Sequence, residues 1–365
     1  MRILGIESSC DETAAAVVED GERLLSNVVN SQIDIHAEYG GVIPEIAARS
    51  HLEVINPVIK KALSDADCTW DDIDAIAVTY APGLIGSLLI GTLAARTLAI
   101  IHNKPLYKIH HVEAHVYANF ITEQRKRGSK HDKLLELTTS AQTREASLSD
   151  SLRDEDCLSK ASPAVAKESD EKASRRAEAV VNSSDLALSL PRHQPTFPLL
   201  ALIVSGGHSQ LVLFQGHGDY QLIGQTQDDA VGEAFDKVAK ILGLPYPGGP
   251  SIARAAESGN PDKYHLPKAK LDNPYNFSFS GLKTAVLRAV QREVGKDFTF
   301  PSYELPGLVT SSQQHDFAAS FQKVAVETLV ERTLRAFQDF QPQSVVIAGG
   351  VAANQELRRQ LRQKL

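Results

Sequence analysis

The sequence predicts an α/β protein built from two similar halves with a cleft between them. Three observations carry that expectation. A strand-strand-strand-helix order occurs twice along the chain, glycine-rich turns close several of the strands, and the composition is that of an ordinary globular protein. Of 365 residues, 42 % are apolar and 23 % charged, which excludes collagen, coiled coil and a wholly disordered chain. At roughly 100–200 residues per domain, the length fits two domains or one large one.

The first half is read in order. Arg2–Glu7 is a short apolar strand, and the polar turn Ser8–Glu12 leads to a second strand, Thr13–Glu19. Asp20-Gly21 is a hairpin signal before a third strand, Arg23–Ser31. Pro44–Ser64 has helical apolar spacing at Ile46, Leu52, Ile55, Ile59 and Leu63, with a proline in its first turn. Ile73–Thr79 is a nearly continuous apolar strand, suited to a buried parallel position. Ala81-Pro82-Gly83 breaks it, and an apolar helix follows to Ile101. Leu106–Ile109 is a short strand and His110–Phe120 a helix.

The second half repeats the grammar. Leu199–Val204, Gln210–Gln215 and Asp219–Gln225 are strands. Helices follow at about Gly232–Leu242, Ser251–Glu257, Gly281–Val294 and Gln313–Phe340, then a strand at Ser344–Ala348 and a helix starting near Asn354. Between the halves, residues 123–196 are rich in Ser, Lys, Glu, Asp and Arg without a sustained period. Such a segment cannot bury enough apolar surface to offset its ordering entropy and reads as a disordered surface insertion. A short helix around Ser169–Val181, and an RNA contact through Arg125-Lys126-Arg127, are the alternatives it offers.

The formal net charge of −7 gives no global basic footprint, so any nucleic-acid contact is local or shared with a partner. The three cysteines, Cys10, Cys68 and Cys157, form no C-x-x-C pair, which argues against a disulfide framework or thiolate zinc site and for a reducing compartment. Glu7 interrupts the N-terminus too early for a signal-peptide core, and Gly86–Ile101 is too short and polar to span a bilayer. A soluble, cytoplasmic protein is the expectation.

Five motifs can carry chemistry. Ser8-Ser9-Cys10-Asp11-Glu12-Thr13 gathers hydroxyls, amides and two carboxylates at one turn, which can bind phosphate or position a metal or nucleophile. His111 and His115 are four apart, so a helix places both imidazoles on one face as a metal half-site. Glu113 lies two residues from each, about 200° around the helix, and points away, unlike the glutamate of a zinc-protease H-E-x-x-H. The Gly-Gly turns at Ser205–His208, Tyr246–Pro250 and Ala348–Asn354 offer bare backbone for close approach of a nucleotide; no Walker A pattern occurs. Asp228–Lys237 opens a helix with acidic residues, with Glu233 and Asp236 on one face. Phe277–Lys283 is a cap-like loop whose Lys283 faces either a phosphate or solvent.

Together these segments resemble the tRNA N6-adenosine threonylcarbamoyltransferase family. The resemblance rests on Gly5–Thr13, His36–Arg49 (HAEYGGVIPEIAAR), Ala81–Leu84, His110–His115, Ser205–His208, Asp236-Lys237, Tyr246–Pro250, Phe277–Lys283 and Gly349–Asn354, in family order. It implies the duplicated actin/hexokinase/Hsp70-like fold. It implies transfer of a threonylcarbamoyl group from threonylcarbamoyl-AMP to the exocyclic amine of adenosine 37 in tRNAs reading ANN codons, with release of AMP. It assigns His111 and His115 to one divalent metal per subunit, iron or alternatively zinc. Ile203, Val204, Ser205, Gly206, Gly207, Asp236, Gly249 and Asn354 match adenylate-binding positions, and Asp11 and Glu12 match acidic residues near the reacting centre. Implied partners are tRNA, a smaller paralogous subunit of the same fold and a small P-loop ATPase, with no membrane.

On this reading, residues 1–122 form one lobe, 197–343 the second, and 344–365 a strand-turn-helix carrying a nucleotide turn. Two departures from the family pattern are expected to matter. The 123–196 insertion replaces a short loop, at low closure cost. The sequence ends at Leu365 before the family's metal-ligand aspartate, so a two-histidine site is expected to hold metal more weakly. The competing readings are a non-catalytic nucleotide-binding scaffold of the same complex and a metallo-glycoprotease, the latter opposed by the placement of Glu113.

Overall fold

The computed structural model describes residues 1–124 and 194–365. The helix expected at 169–181 and the basic triplet at 125–127 lie outside the described residues, as does most of the expected insertion.

The strands of the first half are β1 (Arg2–Glu7), β2 (Glu12–Glu19), β3 (Arg23–Ser31), β4 (Ala75–Ala81), β5 (Leu106–His110) and β6 (Glu123–Gln124). They form one sheet in the order β5-β4-β1-β2-β3-β6. β1, β2 and β3 run antiparallel, while β4 lies parallel to β1 and β5 parallel to β4. In the second half, β7 (Leu199–Val204), β8 (Ser209–Gly216), β9 (Asp219–Gln225) and β10 (Ser344–Ala348) form a sheet in the order β10-β7-β8-β9. Here too the first three run antiparallel and the last in sequence lies parallel beside the first. The order β4-β1-β2-β3 is therefore repeated in β10-β7-β8-β9. This is the duplicated architecture of the actin/hexokinase/Hsp70 group.

Local chemistry explains the element boundaries. The β2–β3 connection puts Asp20 and Gly21 at φ 54° and 75°, the left-handed pair a tight hairpin requires. Helices α1 (Ile33–Ala37), α2 (Pro44–Asp65), α3 (Ile85–Ile101) and α4 (His111–Tyr117) follow in the first half. In the second come α5 (Val231–Leu242), α6 (Gly248–Ala256), α7 (Ser280–Glu293), α8 (Ser311–Phe340) and α9 (Gln355–Lys364). α5 stops at Gly243, which takes φ 74°. α8 opens with a reciprocal cap between Thr310 and Gln313. α6 begins three residues before the expected Ser251, because Pro250 in its first turn lacks only an N–H that would be unpaired anyway.

α1 and β6 have no counterpart in the sequence reading. Both are short, and β6 is defined by its parallel pairing with Arg23 and Leu24 of β3. The expected insertion at 123–196 thus begins on a sheet edge. At its far end, the Thr196 amide donates to Ser344 Oγ at 2.9 Å.

Three apolar cores hold the described residues. In the first half, Leu4, Ile6 and Val17 meet Ile55, Val58 and Ile59 of α2. In the second, Leu200, Leu202 and Val204 meet Phe235 of α5 and Phe317 and Phe321 of α8. The third joins the halves: Val112 and Val116 of α4, with Phe120, pack on Leu199, Ala201, Ile203 and Phe214. β7 is therefore buried on both faces, which is why it reads as an unbroken apolar run. α3 turns its small residues Ser87, Gly91, Ala95 and Ala99 inward and leaves Ile85, Leu89, Leu93, Ile100 and Ile101 exposed. No described helix is long and apolar enough to cross a membrane.

Candidate active site

Equivalent turns of the two halves build the site. The first, Ser8–Glu12, joins β1 to β2. α3 grips it: the Leu84 amide donates to the Ser9 carbonyl at 2.7 Å, and Ser8 Oγ donates to the Ser87 carbonyl at 2.8 Å. The approach is so close that a Cβ at Gly91 would sit 2.3 Å from Ser8 Oγ. The turn presents Cys10, Asp11 and Glu12. Burial, together with Asp11 and Glu12, pushes the Cys10 thiol up to about 12, so it is no thiolate nucleophile. Partial burial and the neighbouring Asp11 and Glu7 raise the Glu12 carboxyl.

The histidine pair lies beside this turn. His111 Nε2 and His115 Nε2 are 3.1 Å apart. Two ligands of one ion at about 2.0–2.1 Å stand at such a separation. Glu7 fixes the orientation: its Oε2 is 3.1 Å from His111 Nδ1 and accepts from Thr79 Oγ1 at 2.6 Å, while the Ser9 amide donates to its other oxygen. Burial would raise the Glu7 carboxyl, but the bonds from His111, Ser9 and Thr79 hold it down at about 2. His111 thus donates through Nδ1 and leaves Nε2 free as a ligand. Burial, with His111 beside it, holds His115 down at about 4, so its imidazole is neutral. The pair fits half of a metal site. Among the described residues, no group of three or more His, Cys, Asp or Glu is arranged to complete one. Glu113 faces the Tyr220 phenol instead and raises its titration.

The second turn, Ser205–His208, joins β7 to β8. The Ser205 amide donates to the His208 carbonyl at 2.8 Å, which closes it and leaves Gly206 and Gly207 open. His208 faces the first lobe, its ring 6.3 Å from that of His111. Behind the turn is a pocket of about 980 Å3 walled by Gly206, Gly232, Asp236, Gly249, Gly350 and Asn354, among others. Asp236 accepts from the Gly248 amide at 2.6 Å. Burial raises its carboxyl, and Asp11 across the cleft adds to the rise. Asn354 caps α9 by accepting from the Leu357 amide at 3.0 Å and donates to Gln322 at 2.9 Å. Burial, then Asp11 and Asp236, push the Tyr246 phenol up to about 12, placing a protonated hydroxyl near both carboxylates.

The structure therefore brings Gly206, Asp236, Gly249 and Asn354 to one pocket; Asp11 is near enough to Asp236 to raise its carboxyl, and the His111–His115 pair reaches the second turn through His208. Ile203 and Val204 are buried strand residues, exposed by 1 % and 0 %, and lie beneath the turn rather than in the pocket wall. Ser205 and Gly207 belong to the turn itself. Glu233 turns aside to Lys237 at 2.8 Å. Lys283 pairs with Asp229 at 2.7 Å and stays partly exposed. Sequence reasoning gave no role to Glu7 or Tyr246, though both lie in segments it singled out, and missed Gln322. A lone charge ending a buried strand was the signal for Glu7.

These features define a two-lobed α/β protein with a nucleotide-sized pocket in one lobe and, on the other, an acidic turn beside a histidine pair. The profile of the family described as tRNA N6-adenosine threonylcarbamoyltransferase matches residues 23–168 and 178–365. The chain is 45 % identical over 370 residues to the tRNA N6-adenosine threonylcarbamoyltransferase of Thermomicrobium roseum, covering 100 % of this chain and 84 % of that one. It is 43 % identical over 363 residues to the enzyme of that name from Symbiobacterium thermophilum, covering 100 % and 82 %. Among solved structures it is similar to full-length HypF in a phosphate- and nucleotide-bound form, with TM-score 0.48 and 11 % identity, covering 100 % of this chain and 50 % of that one. The chain belongs to the tRNA N6-adenosine threonylcarbamoyltransferase family and is a transferase of tRNA threonylcarbamoyladenosine modification.

Proposed function

We propose that the donor is threonylcarbamoyl-AMP and the acceptor the exocyclic amine of adenosine 37 in tRNAs reading ANN codons. The observation that supports this most is that Asp11, on the first turn, lies close enough to act on Asp236 in the wall of the glycine-lined pocket. The adenylate lies in the pocket, with its phosphate toward the open Gly206-Gly207 backbone. The acyl end then projects toward the first turn. The amine nitrogen attacks the carbamoyl carbon, the bond from that carbon to the phosphate oxygen breaks, and AMP leaves with the electron pair. The amine is a weak nucleophile, so its proton must pass to a base as it attacks. Asp11 or Glu12 takes it. Tyr246, protonated, is placed to orient the donor by hydrogen bonding.

His111 and His115 would hold one divalent metal, iron or zinc, which when bound supplies Lewis acidity toward a donor oxygen. Glu7 holds His111 in the tautomer that binding requires. The smaller paralogous subunit and the small P-loop ATPase complete the assembly in the cytoplasm. The outward side of α3 offers the subunit an apolar surface, and tRNA is shared across the complex because this chain is acidic overall.

The test is a transfer assay with unmodified tRNA, threonylcarbamoyl-AMP, iron and the bacterial partner proteins, read by nucleoside mass spectrometry. Threonylcarbamoyladenosine is expected, and Asp236→Ala should weaken the donor's KM by about tenfold or more. Binding of the adenylate without any product would favour the scaffold reading instead.

A further inference from the structure

The Ser8–Glu12 turn rests on a buried polar support that the proposed chemistry does not use. His51, on α2, is fully buried. Its Nε2 lies 3.0 Å from the Cys10 carbonyl and its Nδ1 lies 2.7 Å from Thr13 Oγ1. A carbonyl only accepts, so Nε2 carries the proton and Nδ1 accepts from the Thr13 hydroxyl. One tautomer therefore ties both ends of the segment that displays Asp11 and Glu12. Ser87 Oγ, from α3, donates to the same Cys10 carbonyl at 3.2 Å.

The next carbonyl is held in the same way. The Gln32 amide donates to the Asp11 carbonyl at 3.0 Å. Gln32 is itself fully buried, with Oε1 3.1 Å from His36 Nε2 and Nε2 donating to the Ala47 carbonyl at 3.4 Å. His36 in turn accepts from the Ile43 amide at Nδ1. Every polar atom named here has a partner. The turn is thus held directly by Gln32, His51 and Ser87, and His36 and Ala47 brace Gln32 from behind.

Such a network is costly to bury, and an apolar side chain of similar size would serve packing alone better. Its specific product is the position of two consecutive carbonyls, and with them the two carboxylates. We propose that His51 is a positioning residue that sets the Asp11 and Glu12 carboxylates at the reacting centre. The proposal rests on the reading of those carboxylates as the base.

The experiment uses the full chain with its partner proteins and compares His51→Leu, His51→Gln, Ser87→Ala, Asp11→Asn and Glu12→Gln, each assayed well below its unfolding temperature. Glutamine retains a donor for the Cys10 carbonyl and an acceptor for Thr13, and leucine retains neither. The expected result is a fall in kcat of about 10–100-fold for His51→Leu, with KM for donor and tRNA unchanged and most of kcat recovered in His51→Gln. A folded His51→Leu with parental kcat, or a His51→Gln as slow as the leucine variant, overturns the proposal. Should His51→Leu fail to fold, Ser87→Ala decides: a several-fold drop in kcat at constant KM supports the proposal, and an unchanged kcat overturns it. If Asp11→Asn or Glu12→Gln loses activity while His51→Leu does not, only the positioning role falls. If both carboxylate variants keep parental kcat, the base reading falls and takes the proposal with it.

Discussion

Adjacent glycines at the pocket should answer very differently to the same added methyl group. Gly349, after β10, has φ 89° and ψ 168°, a region essentially open only to glycine. A Cβ there would stand 2.4 Å from the Val204 carbonyl oxygen and 3.3 Å from Ser205 Cβ. To restore an ordinary contact, the ends of β10 and β7 would have to part by about 1 Å. The backbone strain costs about 1–3 kcal/mol and the overpacking a further 1–3 or so, which puts Gly349→Ala at roughly 2–6 kcal/mol. Gly350 has no positive φ, and nothing lies within 4 Å of its would-be Cβ. Gly350→Ala should stay within about 0.5 kcal/mol of the parent. Urea denaturation reads both, followed by far-UV circular dichroism and by fluorescence of Trp70, the single tryptophan. Equal midpoints for Gly349→Ala and the parent, or equal losses for the two variants, would refute the steric reasoning.

Three further outcomes are expected. Asp229 accepts from Lys237 at 3.0 Å and Lys283 at 2.7 Å; burial works against its charge, but these two bonds depress its carboxyl overall. Asp229→Asn should therefore cost about 1–2 kcal/mol at pH 7. A depressed carboxyl stabilises above its unfolded value near 3.9 and loses that contribution as pH falls through the lower folded value, so urea midpoints of parent and variant should draw together as pH falls below about 4. Replacing residues 126–192 with a short flexible linker should move the unfolding temperature by less than about 4 °C, because the flanks already meet where Gln194 Nε2 donates to the Phe120 carbonyl; a larger loss by calorimetry contradicts this. His115→Ala should weaken Zn2+ binding at least about tenfold in chelator competition, and unchanged affinity would remove the histidine pair as the site.

Features carried by local pattern were legible from the sequence. The unbroken apolar run of β7, the hairpin signal at Asp20-Gly21 and the four-residue spacing of His111 and His115 each reflect a single period or turn. What escaped depends on residues distant in sequence. β6 exists through its ladder with β3, a hundred residues earlier in the chain. Glu7 stands out as a lone charge ending a strand, but its role shows only once the fold sets it against His111. Gln322 and Asn354 are joined only when α8 packs beside α9. Lys283 is ambiguous until Asp229 is brought opposite it.

Helix α4 belongs by connectivity to the first sheet and by packing to the second. Its valines and Phe120 cover a face of β7 and β8 that holds Leu199, Ala201, Ile203 and Phe214. A chain cut within the segment between 124 and 194 would yield two fragments, neither with its apolar surface closed. The C-terminal fragment would carry a bare hydrophobic sheet, and the N-terminal one a short helix too small to persist unaided. The two pieces are made to find each other, so activity from such a nicked protein would depend on fragment complementation. Unfolding of the intact chain should likewise engage both sheets in one cooperative event.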